Sequence, residues 1–179
     1  MPHGNHVPGA SENGFELSLA NEQTSHAVDA RRLMQAARRV LADSKYETAS
    51  ISLAVVDDRT IHTLNRQFLQ HDYPTDVLSF VLDTTDTHLK GEVVLSADTA
   101  SAVANACGWS AQDEQLLYVI HGVLHLVGLD DQEPAAARQM RAAERYYLHE
   151  FGVELPEIDT AEPMATTEDS PGGGGLKAW

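Results

Sequence analysis

Two histidines stand four residues apart in the segment HGVLHLVGLDD. On an α-helix, residues at i and i+4 lie on one face, so His121 and His125 would present both imidazoles on the same side. Gly128 can adopt the left-handed conformation that ends a helix. The chain can then turn back and bring Asp130 or Asp131 towards the histidines. Two imidazoles and a carboxylate that converge on one point make a metal site.

The residue after the first histidine bears on the kind of metal chemistry. Zinc proteases with the motif H-E-x-x-H have a glutamate at this position, which acts as the general base. This chain has Gly122 there. A protease is therefore disfavoured. A histidine in a buried helix can also be a hydrogen-bonded core residue. Two histidines on one face, followed by a glycine and two aspartates, favour metal binding over that interpretation.

The helix that would carry the histidines is apolar around nearly its whole circumference between Leu116 and Val127. Such a helix is central and buried. Ser110 and Asp113 resemble a capping box at its start. Further helices are predicted from about Ser25, after Asp57 or Asp58, from Asp98 to near Gly108, and from Pro134 to about Phe151.

Four segments have the apolar runs or the alternation typical of strands: FELSLAN, ASISLAVVD, VLSFV and GEVVLS. We expect the last two to form a hairpin with a long polar connection. The order of elements predicts an α+β fold in a single domain, with a mixed four-stranded sheet and about five helices. The metal site would lie at the end of the central buried helix.

Composition bounds the domain and its surroundings. With 179 residues and 42% hydrophobic content, the chain suits one globular domain, which we place at residues 14–153. Residues 1–13 and the acidic, glycine-rich residues 154–179 are expected to be disordered. The single cysteine, Cys107, excludes an internal disulfide and favours the cytoplasm.

Membrane association and gross attraction to nucleic acid are both disfavoured. No apolar run is long enough for a transmembrane helix, and the N-terminus lacks a secretory-signal pattern. The formal net charge is −15, which opposes binding to polyanions over the whole surface. A local basic patch remains possible, and its candidates are Arg31, Arg38, Arg39 and Arg66.

Several blocks of the sequence resemble one known family. HGVLHLVGLDD is similar to the signature of the YbeY-type endoribonucleases, and YPTDVLSF to their second block. The pair LN at residues 64–65 and the segment GEVVLS match weaker blocks, and the resemblance spans residues 15–152. It implies a zinc-dependent, single-strand-specific endoribonuclease of the cytoplasm, active in ribosomal RNA maturation and ribosome quality control. Its implied partners are ribosomal RNA and the ribosome or its small subunit, without a membrane.

The resemblance also implies a ligand set for one zinc ion per chain. His121 and His125 match the first two ligands, and the third position, usually histidine, falls on Asp131. Asp130 matches the aspartate that normally precedes it. A carboxylate oxygen is a competent zinc ligand. Non-haem iron enzymes also use two histidines and one carboxylate, so another divalent metal stays open.

A second departure from the family pattern concerns a basic residue. The family usually has an arginine five residues before the proline of YPTDVLSF, and this chain has Leu69, which cannot pair with a phosphate. Arg66 and His71 are speculative catalytic substitutes, although Arg66 is more simply a surface residue. Glu92 replaces a common aspartate and keeps its charge.

The chemistry that these residues favour is metal-assisted phosphodiester cleavage, in which the metal activates a water and polarises a phosphoryl oxygen. Thr75, Asp76 and Ser79 would either line the cleft or only shape the turn and strand. Two alternatives remain open. The chain can be a non-catalytic, metal-stabilised ribosome-assembly or RNA-binding factor, or another metal-dependent hydrolase or iron enzyme. The oligomeric state is left open.

Overall fold

The computed structural model describes residues 5–8 and 13–155. The strands in this part of the chain are β1 (Asn5–Pro8), β2 (Phe15–Asn21), β3 (Thr48–Val56), β4 (Val77–Thr84) and β5 (His88–Ser96). The helices are α1 (Ala30–Ala42), α2 (Asp58–Leu69), α3 (Ala97–Cys107), α4 (Ala111–Leu126) and α5 (Pro134–Glu150). The prediction of a single α+β domain with a mixed sheet and five helices is confirmed.

The strands form one sheet in the order β1-β2-β3-β5-β4. Strands β2, β3 and β5 are parallel, and β1 and β4 pair antiparallel at the two edges. The four predicted strands are β2 to β5. Strand β1 lies within the segment that we predicted to be disordered, so that prediction is wrong for residues 5–8. The predicted tail lies outside the described residues from residue 156 onwards, and the domain bounds 14–153 stay a prediction.

Two local predictions also need correction. The connection between β4 and β5 is short, because both strands run on into the polar segment that we read as a long loop. Helix α1 begins at Ala30, where the Asp29 side chain accepts a hydrogen bond from the Arg32 N–H, and not near Ser25. Polar residues at strand ends and helix starts carry little periodicity, so sequence patterns place these boundaries poorly.

The hydrophobic core lies mainly on one face of the sheet. Successive strand residues point to opposite faces, so Leu53 and Val93 join the main core under α1 and α4, while Ala54 and Val94 face a small cluster beneath α2. None of the described helices is long and apolar enough to cross a membrane. Helix α4 is buried between the sheet and the other helices, as its apolar circumference predicts.

Candidate metal centre

The C-terminal end of α4 fixes the geometry of the site. Gly128 has a φ of +105°, and its N–H donates to the His125 carbonyl at 3.0 Å. The Leu129 N–H donates to the Leu124 carbonyl, also at 3.0 Å. These two bonds form the Schellman motif, in which a left-handed residue closes a helix and turns the chain back. The predicted role of Gly128 is therefore confirmed.

The turn continues through the two aspartates. The Asp130 carboxylate accepts hydrogen bonds from the Asp131 N–H at 2.7 Å and the Gln132 N–H at 3.0 Å. Asp130 is thus engaged with its own backbone, as aspartates in turns commonly are. The Asp131 carboxylate instead faces the histidines, with one oxygen 3.8 Å from His121 Nε2 and the other 3.8 Å from His125 Nε2. Of the two aspartates, Asp131 has the geometry of a third ligand.

The three donor groups form a cluster that can hold a metal ion. One ligand atom from each of His121, His125 and Asp131 lies within 4.8 Å of the other two. The two Nε2 atoms are 2.9 Å apart. Two nitrogens bound tetrahedrally to zinc are separated by roughly 3.3 Å, so a small adjustment would suffice.

The outer nitrogens of both rings have acceptors that set the tautomers. Nδ1 of His121 lies 2.6 Å from Glu144 Oε1, and Nδ1 of His125 lies 3.0 Å from the Leu129 carbonyl oxygen. A carboxylate and a carbonyl only accept, so each Nδ1 carries the proton and each Nε2 has a lone pair to offer. Two lone pairs at this separation repel unless a proton or a metal ion lies between them. Metal-binding histidines usually donate a hydrogen bond of this kind from the ring nitrogen that does not bind the metal.

The charges around the two rings differ. Burial acts to lower the pKa of His121, but the hydrogen bond and the charge of Glu144 act in the opposite direction. Together with the charges of Asp131 and Asp76 they outweigh burial, so the pKa is raised. The pKa of His125 is lowered by burial and then by its neighbour His121. His125 is only 5% exposed, whereas the side chain of Asp131 is 42% exposed. The cluster therefore opens to solvent on the side of the carboxylate.

A cavity of about 320 Å³ lies in front of the cluster. Besides the three donor residues, it is lined by Thr75, Asp76, Val77 and Gln132. Thr75 and Asp76 thus line the cleft. Ser79 does not belong to this lining, and its buried hydroxyl donates to the Gly122 carbonyl at 3.1 Å. Ser79 fastens α4 to β4.

The same contact explains why no glutamate follows the first histidine. A Cβ atom on Gly122 would lie 2.6 Å from Val93 Cγ1 and 2.9 Å from Ser79 Oγ. Both distances are closer than real Cβ contacts. Position 122 therefore faces the sheet and leaves no room for the general base of the zinc proteases.

A second cavity, of about 280 Å³, lies on the other side of His121. Its lining includes three acidic residues, Asp76, Glu114 and Glu144. Glu114 is buried, and burial raises its pKa, with a hydrogen bond from Tyr118 acting in the opposite direction. The acidic surroundings of His121 favour a positive charge at the cluster.

The speculative catalytic residues are not brought into the first cavity. Arg66 is exposed on the last turn of α2, and His71 is exposed in the loop that follows. Neither lines the cavity. Leu69 packs against the small apolar cluster beneath α2. Glu92 lies at a small apolar pocket beside α2 and β4, away from the donor cluster, and burial raises its pKa.

The arginines of α1 do not form a free basic groove. Arg39 pairs with Asp43 and Glu150 at 2.6 Å each, and Arg38 donates to the Phe15 carbonyl at 3.0 Å. These side chains connect α1 to its neighbours within the fold. Two of the four arginines suggested for a local basic patch, Arg38 and Arg39, are therefore engaged within the fold.

Glu144 is the residue of the site that the sequence analysis missed. It is 8% exposed and lies on the buried face of α5, between Met140 and Tyr147. A glutamate on the apolar stripe of an amphipathic helix was the available signal, because a buried carboxylate needs a partner.

The fold and the site together define a class of α+β proteins with two histidines and a carboxylate at the end of a buried helix. The model of the family "Endoribonuclease YbeY" matches residues 18–152. Endoribonuclease YbeY of Rhodopirellula baltica is 41% identical over 140 residues, covering 77% of this chain and 72% of that protein. Endoribonuclease YbeY of Salinibacter ruber is 36% identical over 141 residues, covering 74% and 90%. The chain belongs to the YbeY family.

A solved structure supports the fold. The solution structure of a Thermotoga maritima protein superposes with a TM-score of 0.54 and covers 76% of this chain and 87% of that one. Its sequence identity is 24%, so this likeness concerns the architecture alone.

Proposed function

We propose that this chain is a metal-dependent endoribonuclease that cleaves single-stranded RNA. The observation that carries the proposal is the convergence of His121, His125 and Asp131 at the mouth of an open cavity, in a chain of the YbeY family. The curated relatives bear the name endoribonuclease.

Zinc is the metal that we propose, with one ion per chain. The two Nε2 atoms and the Asp131 carboxylate would hold it, and the Nδ1 partners Glu144 and Leu129 support that role. When bound, a metal ion of this kind supplies Lewis-acid polarisation of a phosphoryl oxygen and an acidified water. The carboxylate in place of a third histidine lowers the charge of the site and also suits iron, which elemental analysis would distinguish.

The chain's own residues would position the RNA in the cavity. Gln132 has a carboxamide N–H at the rim that can donate to a phosphate oxygen. The Thr75 hydroxyl donates to Asp76 at 3.0 Å, and Asp76 also accepts from the Val77 N–H at 2.9 Å, so this wall is held in place. The proposal does not extend to Arg66 and His71 as catalytic substitutes, because neither residue lines the cavity.

The cellular role that we propose is ribosomal RNA maturation and ribosome quality control in the cytoplasm, with the ribosome or its small subunit as partner. Family membership supports this role. A second candidate is a non-catalytic factor for ribosome assembly whose metal holds the end of α4 in place. Two observations favour this candidate. Leu69 stands where the family usually has an arginine, and no lysine or arginine is among the described residues that line the cavity.

Cleavage of matched RNAs by the zinc-loaded protein tests the proposal. We expect cleavage of a single-stranded RNA, slower cleavage of the same sequence in a duplex, and loss of activity in His125→Ala. His149→Ala is the matched control, because His149 is an exposed histidine outside the cavity. A wild-type protein that binds zinc and RNA but cleaves neither substrate would contradict the enzyme and support the assembly factor. Hydrolysis of other metal-hydrolase substrates would support the third alternative.

A further inference from the structure

Two aromatic rings stack on each other in the loop between α2 and β4. The ring centroids of His71 and Tyr73 are 5.3 Å apart, and the ring planes differ by only 11°. Both residues are exposed, and Tyr73 is 55% exposed, the largest value among the large apolar and aromatic side chains described as exposed. An exposed aromatic ring of this kind offers a face on which a nucleic-acid base can stack.

The loop that carries the pair is tied down at three consecutive residues. The His71 N–H donates to the Asn65 carbonyl at 3.4 Å, and the Asp72 carboxylate lies 2.9 Å from His62 Nε2. The Asn65 side chain, 1% exposed, donates to the Tyr73 carbonyl at 2.8 Å. The loop backbone that carries the two rings is therefore held in place before any ligand arrives, which lowers the entropic cost of binding.

This place is beside the metal cavity. Thr75 and Asp76 line the cavity, and Tyr73 precedes Thr75 by two residues. Two residues of extended chain span at most about 7 Å. A single strand whose phosphate lies at the donor cluster would thus bring a neighbouring base within reach of the pair.

The negative charge of the protein disfavours binding to RNA phosphates, so a contact with a base would contribute affinity that charge does not supply. The net charge is −15, and the cavity lining contributes the carboxylates of Asp76 and Asp131. Affinity for RNA usually comes in large part from lysine and arginine on phosphates, and the lining within residues 5–8 and 13–155 includes neither. Stacking of bases on aromatic rings is an alternative source of affinity that does not depend on phosphate charge.

We propose that His71 and Tyr73 form a stacking platform for one base of single-stranded RNA next to the cleavage site. This inference rests on the proposed function. The platform selects single strands, because a base within a duplex is already stacked on both faces and cannot reach the ring. His71 then serves binding and not proton transfer.

The test measures binding of labelled single-stranded RNA to the zinc-loaded protein by fluorescence anisotropy, within the time before cleavage is detectable. A set of RNAs, each lacking one base, is compared with the intact RNA. Tyr73→Ala removes the ring, and Tyr73→Phe keeps it. Tyr146→Ala is the matched control, because Tyr146 is 50% exposed on α5 and lies outside the cavity lining.

We expect Tyr73→Ala to weaken binding by about five- to 150-fold, the range for one stacked base. Tyr73→Phe and Tyr146→Ala should bind as the wild type does, and His71→Ala should weaken binding in the same direction as Tyr73→Ala. One abasic RNA should bind the wild type poorly and lose no further affinity with Tyr73→Ala. The ratio of wild-type to Tyr73→Ala affinity should hardly change with salt, since no phosphate contact is lost.

Failure of the platform differs from failure of the enzyme. If Tyr73→Ala binds every RNA as the wild type does while the wild type cleaves RNA, the platform is overturned and the endoribonuclease stands. If the wild type neither binds nor cleaves RNA, both are overturned. An unchanged thermal unfolding temperature of Tyr73→Ala would show that a loss of binding comes from the missing ring.

Discussion

Nδ1 of His121 on α4 lies 2.6 Å from the Glu144 carboxylate on α5, and both side chains are largely buried. This contact joins the helix that carries the two histidines to the last helix of the domain. It holds the imidazole in the tautomer that presents Nε2 to the cavity.

Removal of the Glu144 carboxylate should weaken metal binding without unfolding the protein. We expect Glu144→Gln to lose about 10- to 100-fold in zinc affinity, the usual effect of a missing partner behind a metal-binding histidine. Competition with a chromophoric chelator measures the change. Glu150→Gln is the control on the same helix, since Glu150 pairs with Arg39 far from the cluster. Equal affinities for both variants would show that Glu144 does not support the metal.

Gly128 should matter twice, for stability and for the metal. Gly128→Ala places a Cβ on a residue with a φ of +105°, so we expect a loss of about 1–2 kcal/mol in the free energy of unfolding. Gly108, at the end of α3, has a φ of +77° and equally open surroundings. Gly108→Ala should cost about as much in urea denaturation.

Only the change at Gly128 should reduce zinc affinity, because its turn brings the Leu129 carbonyl to His125. The two glycine variants thus separate general destabilisation from damage to the site. If both lose zinc affinity to the same extent, the Schellman turn has no specific part in holding the ligands.

The contact between Gly122 and Val93 predicts an energetic coupling. Gly122→Ala should destabilise the domain by about 1–3 kcal/mol, because the new methyl group meets Val93. The double variant Gly122→Ala/Val93→Ala should be more stable than the sum of the single effects by about 0.5 kcal/mol or more. Urea denaturation of the four proteins measures the coupling. Strict additivity would mean that α4 is not seated on β5 at Gly122.

The start of α2 should contribute a pH-dependent stabilisation. The hydrogen bonds from the Thr60 hydroxyl and N–H lower the pKa of Asp57, which caps the helix. A folded-state pKa below the unfolded value means stability that is present above about pH 4 and lost as the pH falls through the folded pKa. Asp57→Ala should cost about 1 kcal/mol at pH 7 and less at acid pH.

Asp57→Asn is the control for this effect, because asparagine caps a helix without titrating. Its stability relative to Asp57→Ala should not fall with pH in the acid range. Denaturation curves at several pH values give all three differences. A wild-type advantage over Asp57→Ala that is constant down to pH 2 would contradict the lowered pKa.

Much of the fold follows from periodicity in the sequence. The all-round apolar pattern of α4 and the alternation in β2 and β3 fix which faces are buried, and the structure has both. Strand β1 was missed because its four residues, NHVP, carry no alternation and gain their order only by pairing with β2. Pairing of this kind is a tertiary effect that no local pattern shows.

The site was predictable to the extent that its residues are close in sequence. The two histidines and the two aspartates lie within one helix and its turn, so spacing alone indicated that His121 and His125 converge with Asp130 or Asp131. Spacing does not decide between Asp130 and Asp131. The answer depends on which carboxylate accepts hydrogen bonds from the backbone of the turn, and the structure shows this for Asp130. Glu144 comes from another helix, and its contact with His121 depends on how α4 and α5 cross.

Metal analysis of the purified, untagged protein tests the central claim most directly. The account predicts about one zinc per chain in the wild type, with loss of the metal in His125→Ala and Asp131→Ala. Asp130→Ala should keep its zinc, although more weakly held, since Asp130 serves the turn and not the ion. A folded wild type, never exposed to chelator and supplied with zinc, that contains no metal would contradict the account. Retention of full zinc by Asp131→Ala would contradict the ligand set.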